Sequence, residues 1–395
     1  MNARPLGTIG IIVFFIMTAI PAVSAPQTVE TKDGIRIIHN GKTGRWGTNP
    51  KAGLELIRII GDIDTEDENL AFDTPGNLVE DRRENIYIAD VGNVRIQKFD
   101  KNGKFLASLG RKGQGPGEFD SIDSLDIDAK GRLWVLDRNQ RRLMILTPDG
   151  REDRAIRFLK RRLTSIRPMK DGSFLVSESY STGPEPVSPT ILLKRMNEEE
   201  EILGEFCLPV DFGEAVTNQS ANGISTAIGG DGSPVISFYK QNRVEKYSTE
   251  GKILWRADRP LNFDTKVIEK GEYKKTADSA SYKGPKMNLC SNGVAVDGAG
   301  RIWVVTCRRQ IKPEEGIYIS KSFGPTGLIS KKVEGNTDLR TTDMFQLDIF
   351  DPQGVLLGTL PVSQFVDGIW IWGDRLYLLD RDHGAAYHQY RIVER

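Results

Sequence analysis

The chain has 395 residues, 27% of them charged and 38% hydrophobic, with 40 glycines and 19 prolines. That is enough apolar material for a large core and enough turn formers for a β-rich fold, and it excludes a disordered tail protein. Lysine plus arginine equals aspartate plus glutamate at 54 each, so no global field draws the molecule to nucleic acid or anionic lipid.

Residues 1–25 read as a targeting segment: Arg4 supplies a short positive region, residues 8–20 an apolar run, and PAVSA at 21–25 small residues for cleavage. The run would form only about 20 Å of helix against a hydrocarbon core of about 30 Å. The expectation is a cleaved signal peptide, export to the periplasm or cell surface, and no transmembrane span in the mature chain. An uncleaved anchor is the alternative. Residues 26–53 form an N-terminal extension with a small hairpin over 31–44, and LELIRIIG at 54–61 is a strand.

The stretch from 85 to 150 carries one pattern twice. A shift of 47 residues places Ile86 on Leu133, Tyr87 on Trp134, Asp90 on Asp137 and Gly103 on Gly150. A fixed period of short β-rich runs closed by glycine turns marks a stacked repeat architecture. Five units follow, at about 76–110, 122–156, 162–206, 225–258 and 290–360. Each has four strands, and third strands end in turns such as DKNG, TPDG, STEG and DPQG. Four second strands carry an aromatic at the same place, Tyr87, Trp134, Trp303 and Tyr377, read as packing between units. The last three strand-like runs, IWIW, LYLLD and AAYHQYRIV, lack a fourth, and the strand at 54–61 lacks three predecessors. Joining the two ends closes a ring and removes the exposed edges. The fold class is therefore all-β, a six-bladed β-propeller over 54–395 with its last blade closed by an N-terminal strand.

Here the residues match a known family. IADVGNVRIQKFDKNGKFLASLGRKGQGPGEF resembles the NHL-repeat proteins, and more closely exported bacterial six-bladed propellers in which an NHL-like blade precedes a GRKGQGPGEF-type connector. The resemblance is specific over about 76–156 and weak in units three and four. It implies the fold and often export. It implies no single activity, because such propellers serve as protein, RNA or ligand platforms and occasionally as lyases.

Function classes narrow by what is missing. GRKGQGPGEF lacks the GK[ST] ending of a phosphate loop and precedes a strand, so it reads as a flexible connector. Three histidines without HExxH give no histidine-rich zinc centre, and no GxSxG elbow is present. The three cysteines cannot all pair within the chain. If Asp297 pairs with Gly300, Cys290 falls opposite Cys307, and a disulfide or two buried thiols are both open there. Cys207 reads as a core residue.

Loop growth is one-sided. It falls in the second-to-third loops of units three (180–190) and five (307–343) and in the connectors at 209–223 and 259–288, all on the face termed the top. Candidates on that face are Asp90, Asp137 and Asp380 at the ends of second strands, and the arginines Arg138, Arg141, Arg308, Arg309 and Arg381, able to grip carboxylate or phosphate. Asp123, Asn292 and Asp367 start first strands, nearest the channel, where oxygen ligands suit a hard cation such as Ca²⁺. His383 beside Asp382 is the candidate acid or base. The first reading is an exported, non-catalytic, monomeric binding platform without a cofactor, taking a protein, peptide or glycan, but not nucleic acid, on its top face. The alternative is a metal-dependent hydrolase or lactonase holding a divalent cation at the channel mouth.

Overall fold

The second strand of each unit is buried along most of its length: Ile86–Asp90, Leu133–Asp137, Pro234–Phe238 and Ile302–Cys307 throughout, Arg375–Asp380 and Phe174–Glu178 in large part. Fourth strands such as Phe105–Leu109 and Ile202–Phe206 alternate between exposed and covered positions. Apolar faces on both sides of a strand require a neighbour on both sides, whereas alternation suits a strand with one wet face. In the computed structural model this contrast is met by six antiparallel blades arranged as a propeller. The structure describes residues 27–179, 185–276, 280–324 and 327–395, without the side chains of 280 and 318–333. The targeting segment at 1–25 and residues 180–184 of the expanded loop of unit three lie outside the described residues.

Blade 1 pairs its strands in the order Pro75–Glu80, Ile86–Asp90, Arg95–Phe99 and Phe105–Leu109. Blades 2 to 5 span 124–157, 163–206, 224–258 and 291–361 in the same way. Blade 6 consists of Gly368–Trp372, Arg375–Asp380 and Ala386–Glu394, closed by Ala52–Ile60, which lies antiparallel on Ala386–Glu394. The core is divided to match. Six buried apolar clusters each join one pair of neighbouring blades, including Tyr87 with Val135, Trp134 with Phe174, and Ile60 with Ile88. Tyr87, Trp134, Trp303 and Tyr377 are buried between blades, as their recurrence predicts. Their polar tips are also spent. Tyr87 Oη donates to Asp81, Trp134 Nε1 to Asp128 and Trp303 Nε1 to Asp297, and each of these aspartates also holds the tight turn before its second strand. Tyr377 Oη donates instead to Glu80 of blade 1, 2.7 Å away.

Three local features differ from the sequence reading. Strands Thr28–Lys32 and Ile35–His39 form a hairpin that joins blade 4, Ile35–His39 running parallel to Ile253–Asp258, so that sheet has six strands rather than four. An outer strand presents unpaired backbone groups, and Ile38 adds a fully buried side chain beside Trp255. The connector GRKGQGPGEF is tied down rather than flexible. Phe119 N donates to Arg111 O and Gly113 N to Phe119 O, both at 2.9 Å, while Glu118 holds Arg111 and Gly115 N. Gly110, at φ +73°, leaves no room for a Cβ because the Phe119 ring occupies that place.

The third concerns the cysteines. All three are buried free thiols, so the candidate Cys290–Cys307 disulfide is not formed in this structure. In the hairpin Val296 pairs with Ile302, one residue away from the assumed register, and a bulge at Asn292–Gly293 shifts the pairing back so that Ser291 faces Thr306. Cys307 N then donates to Cys290 O at 3.0 Å. Burial pushes the Cys290 thiol up to about 11 and the Cys307 thiol up to about 12, so neither offers thiolate for exchange at neutral pH.

The docked hairpin carries a pH signature. His39 Nδ1 lies 2.6 Å from Asp258 Oδ2, and that bond raises the imidazole above its usual value, with Glu30 assisting at 3.6 Å. A raised folded value contributes stability that is complete below the unfolded value of about 6.5 and lost as pH rises through the raised one. With the side chain 43% exposed the effect stays below about 1 kcal/mol. We expect proteolysis of residues 27–39 to be faster at pH 8.5 than at pH 5.5, and the difference to vanish in His39→Gln. Equal rates in the unmodified protein would disprove it.

Candidate binding site at the channel mouth

First strands line the propeller axis, and three of them are bulged at their start. Pairing shifts between Pro75 and Leu78, between Leu163 and Ser165, and between Ser291 and Val294. A bulge re-aims side chains and is frequent beside functional sites. Here the bulges border a cavity of about 410 Å³ at the top mouth of the channel. It brings together Asp123, Asn292 and Asp367, the three residues singled out for a cation, and adds Arg381 from the loop after the last second strand. Arg167, Tyr239, Asn77, Ser165 and Ser177 are among its other polar residues.

The charges alternate in sign and differ in how far they are engaged. Asp123 accepts Ser121 Oγ at 2.6 Å and pairs with Arg138 Nε at 3.0 Å. Asn292 Nδ2 donates to Val366 O at 2.8 Å, which leaves its Oδ1 without a partner among the described residues. Asp367 Oδ2 accepts Arg381 N at 2.9 Å, and burial raises its carboxyl to about 6. Arg381 donates through Nε to Pro75 O at 3.1 Å, and among the described residues neither terminal guanidinium nitrogen has a partner. Arg167 pairs with Asp126 at 3.2 Å deeper in the channel. Tyr239 is raised by burial despite the nearby Arg381 and Arg167, so its hydroxyl stays protonated.

A larger cavity of about 810 Å³ opens on the opposite side of the channel, with Trp370 and Trp372 on one wall. Each of its charged groups has an internal partner, although Arg82 and Lys170 keep further donors. Arg195 is held by Ser173, Asp171 and Thr249 O, Arg82 by Ala129 O and Lys170 by Gly230 O, and Asp128 and Asp231 hold their own turns. Size favours the lower cavity, whereas available hydrogen-bonding groups favour the upper one. A buried polar group makes its contribution to recognition only if no internal partner already satisfies it.

The remaining candidates lie outside both cavities. Asp90, Asp137 and Asp380 are almost wholly buried and bind backbone N–H groups: Asp73 N to Asp90 at 2.8 Å, Asp120 N to Asp137 at 2.9 Å, and His383 N to Asp380 at 3.1 Å. They anchor adjoining top-side segments. Arg309 is clamped by Glu315, Asp343 and Thr342, and that guanidinium holds the Glu315 carboxyl down to about 2. Arg138 is spent on Asp123, whereas Arg141 and Arg308 are exposed. His383 is buried, stacked on Phe365 at 3.5 Å, and lines, with Asp382, a separate cavity of about 210 Å³.

Comparison with known proteins agrees with this architecture. Residues 54–150 match the family DUF5128, described as a 6-bladed beta-propeller. NHL repeat-containing protein 3 of Mus musculus is 29% identical over 133 residues, which is 31% of this chain and 38% of that protein, and the Homo sapiens form is 28% identical over 131 residues with the same shares. The chain is a six-bladed β-propeller that resembles NHL repeat-containing proteins over part of its length. A member of the DUF4221 family from Bacteroides vulgatus shares the fold at 12% identity and a TM-score of 0.54, over 87% of this chain and 99% of that one. That degree of likeness supports the fold of this NHL-like propeller and nothing about its chemistry.

Around the mouth, the expanded loops of this NHL-like propeller touch one another. The short helix Ala215–Ala221, capped by Glu214, sits between the loop of blade 3 and the connector from blade 4 to blade 5: Asn218 Nδ2 donates to Ser188 Oγ, and Gly271 N to Thr217 Oγ1. His383 Nε2 is 3.0 Å from Glu315 O, joining the loops of blades 6 and 5. Sequence reasoning placed the loop growth on one face but missed this helix, Arg167 and Tyr239. The helix has seven residues and an unusual glutamate cap, and whether Arg167 faces the channel depends on the bulge before it. Among the described residues no helix is long and apolar enough to cross a membrane.

Proposed function

We propose that this propeller is an exported, non-catalytic binding platform that takes a peptide on its top face, with an anionic or carbonyl oxygen of the ligand seated on Arg381 in the channel mouth. The observation that carries the reading is the mouth itself. Its cavity offers an arginine with two uncommitted terminal nitrogens, a second arginine that it shares with the larger cavity, an uncommitted amide oxygen and three serines, whereas most charges of the larger cavity are paired internally. Guanidinium forks recognise carboxylate and carbonyl oxygens with defined geometry. The segment at 1–25 supports export.

A second reading keeps the divalent cation. Asp123, Asn292 and Asp367 share the cavity and present only oxygens, the donor set of a hard ion. Against it, Asp123 is already paired with Arg138, and no group of three or more His, Cys, Asp or Glu suited to a metal occurs among the described residues.

Calorimetry with trialanine and trialaninamide tests the first reading. Both are expected to bind, and Arg381→Ala to weaken each at least tenfold without changing the melting temperature. Unchanged affinity of both peptides in Arg381→Ala would exclude it. Stoichiometric Ca²⁺ in the purified protein, lost in Asp123→Ala, would support the second reading instead.

A further inference from the structure

The small cavity beside the mouth has a character of its own. Leu289, Ile311, Ile317, Met344, Phe345 and Phe365 give it an apolar wall between blades 5 and 6. Its polar lining includes Asn292 and Asp367, which also line the mouth, so the two cavities adjoin. Asp382 and His383 are the other polar groups at this junction, and Gln310 is consumed at both ends by the backbone of Leu289.

Most of the hydrogen-bonding positions left over at the junction are acceptors. Asn292 gives one amide hydrogen to Val366 O and leaves its Oδ1 without a partner among the described residues. Asp367 has one oxygen on Arg381 N and the other without a partner, and the Asp382 carboxylate makes no hydrogen bond or ion pair among the described residues. His383 Nε2 faces a carbonyl, which can only accept, so that nitrogen carries the hydrogen, while Nδ1 lies 4.0 Å from Asp380 Oδ1, a residue outside this lining. Burial lowers the His383 pKa and the ring stacks flat on Phe365, so the imidazole supplies no positive charge. Two carboxylates and an amide oxygen beside an apolar wall call for a compact cation with several N–H donors attached to an apolar group. Arg381, one residue before Asp382, presents the opposite charge in the adjoining cavity.

We infer that the paired cavities form a subsite for a hydrophobic residue with an unblocked α-amino group: the ammonium sits between Asp382, Asp367 and Asn292, the side chain lies against Phe345 and Ile311, and the carboxylate or carbonyl oxygen reaches Arg381. This rests on the peptide reading of the mouth and narrows it. An ammonium has three hydrogens to donate, which matches three oxygen acceptors. A free amino acid and the amino-terminal residue of a peptide share this chemistry. The Arg308 and Arg309 loop is not needed for it, since Arg309 is committed to Glu315 and Asp343.

The test uses four probes on the full chain at pH 7.5: leucine, Leu-Gly-Gly, N-acetyl-Leu-Gly-Gly and Ala-Gly-Gly. Acetylation is expected to weaken Leu-Gly-Gly at least tenfold, and alanine in place of leucine at least fivefold. Asp382→Asn should weaken leucine and Leu-Gly-Gly at least tenfold while leaving the melting temperature and the weak binding of the acetylated peptide unchanged. Tighter binding of leucine identifies a free amino acid as the source of the ammonium, and tighter binding of Leu-Gly-Gly a peptide terminus. If the acetylated peptide binds equally well and Arg381→Ala still abolishes its binding, the ammonium subsite is wrong while the reading of the mouth stands. No binding of any probe up to 10 mM overturns both.

Discussion

A chain that begins at Gly61 is expected to lose cooperative unfolding altogether, whereas one that begins at Gly44 should keep it. The first truncation removes Ala52–Ile60, the strand that completes blade 6 against Ala386–Glu394. Its loss exposes a nine-residue edge along Ala386–Glu394 and removes Ala52 and Leu54 from the cluster between blades 5 and 6, and Ile60 from the cluster between blades 6 and 1. Each fully buried aliphatic side chain contributes about 1.5–3 kcal/mol, and a net stability of 5–15 kcal/mol does not survive several such losses with an opened ladder. The second truncation removes the hairpin on blade 4 with Ile38 and the buried Asn40, which bonds Asp258 O, Gly354 O and Leu356 N, but leaves Trp46 N on Leu357 O and the closing strand in place. Calorimetric melting of both chains is the measurement. A sharp transition near that of the full chain for the Gly61 form would show that closure is not what holds the ring.

Arg259→Leu is expected to cost about 3–5 kcal/mol, the usual loss when one partner of a buried ion pair is removed. Arg259 and Asp348 are both about 2% exposed at the side chain and meet at 2.8 Å within blade 5 and its entering connector. The guanidinium also donates to Thr306 Oγ1 and to Cys290 O, so one side chain ties the connector to two strands of the blade. Without it Asp348 keeps Thr306 at 2.6 Å and Gln346 at 2.7 Å, and its carboxyl, already raised by burial, takes up a proton. The double change Arg259→Leu with Asp348→Leu should recover most of the loss, because no uncompensated charge remains. Urea unfolding midpoints of the two single changes and the double would decide this. A single change costing less than about 1 kcal/mol would show that water or rearrangement reaches the pair.

The parts legible in the sequence are those that local chemistry repeats. Tyr87 and Trp134 recur because an aromatic fills the gap between blades, and Asp81 and Asp128 recur with them because the same turn carboxylate receives the aromatic donor. The closing strand was legible because two incomplete units at opposite ends of the chain have one solution. A hairpin was legible but read at 31–44, whereas it forms over 28–39, and its parallel seat on Ile253–Asp258 is a long-range contact that no local pattern encodes. At the mouth, Asp123, Asn292 and Asp367 were found because they start first strands. Of the five arginines singled out on loops, only Arg381 lines the cavity, since side-chain direction at a loop tip is set by neighbours such as Glu315 and Asp343 that clamp Arg309 elsewhere.

Closure by the first strand also dictates an order of events during synthesis. Residues 52–60 emerge early and their partner at 386–394 only after the five intervening blades, so the closing strand waits unpaired while those blades are made. Bringing ends more than 300 residues apart together costs about 3 kcal/mol more than closing a ten-residue hairpin. That cost is met only after five blades have already stacked. Until then blade 6 and the waiting strand both carry open edges. The same hydrogen bonds that complete blade 6 in the mature ring thus create a late folding step, in which a nascent chain is most exposed to pairing with the wrong partner.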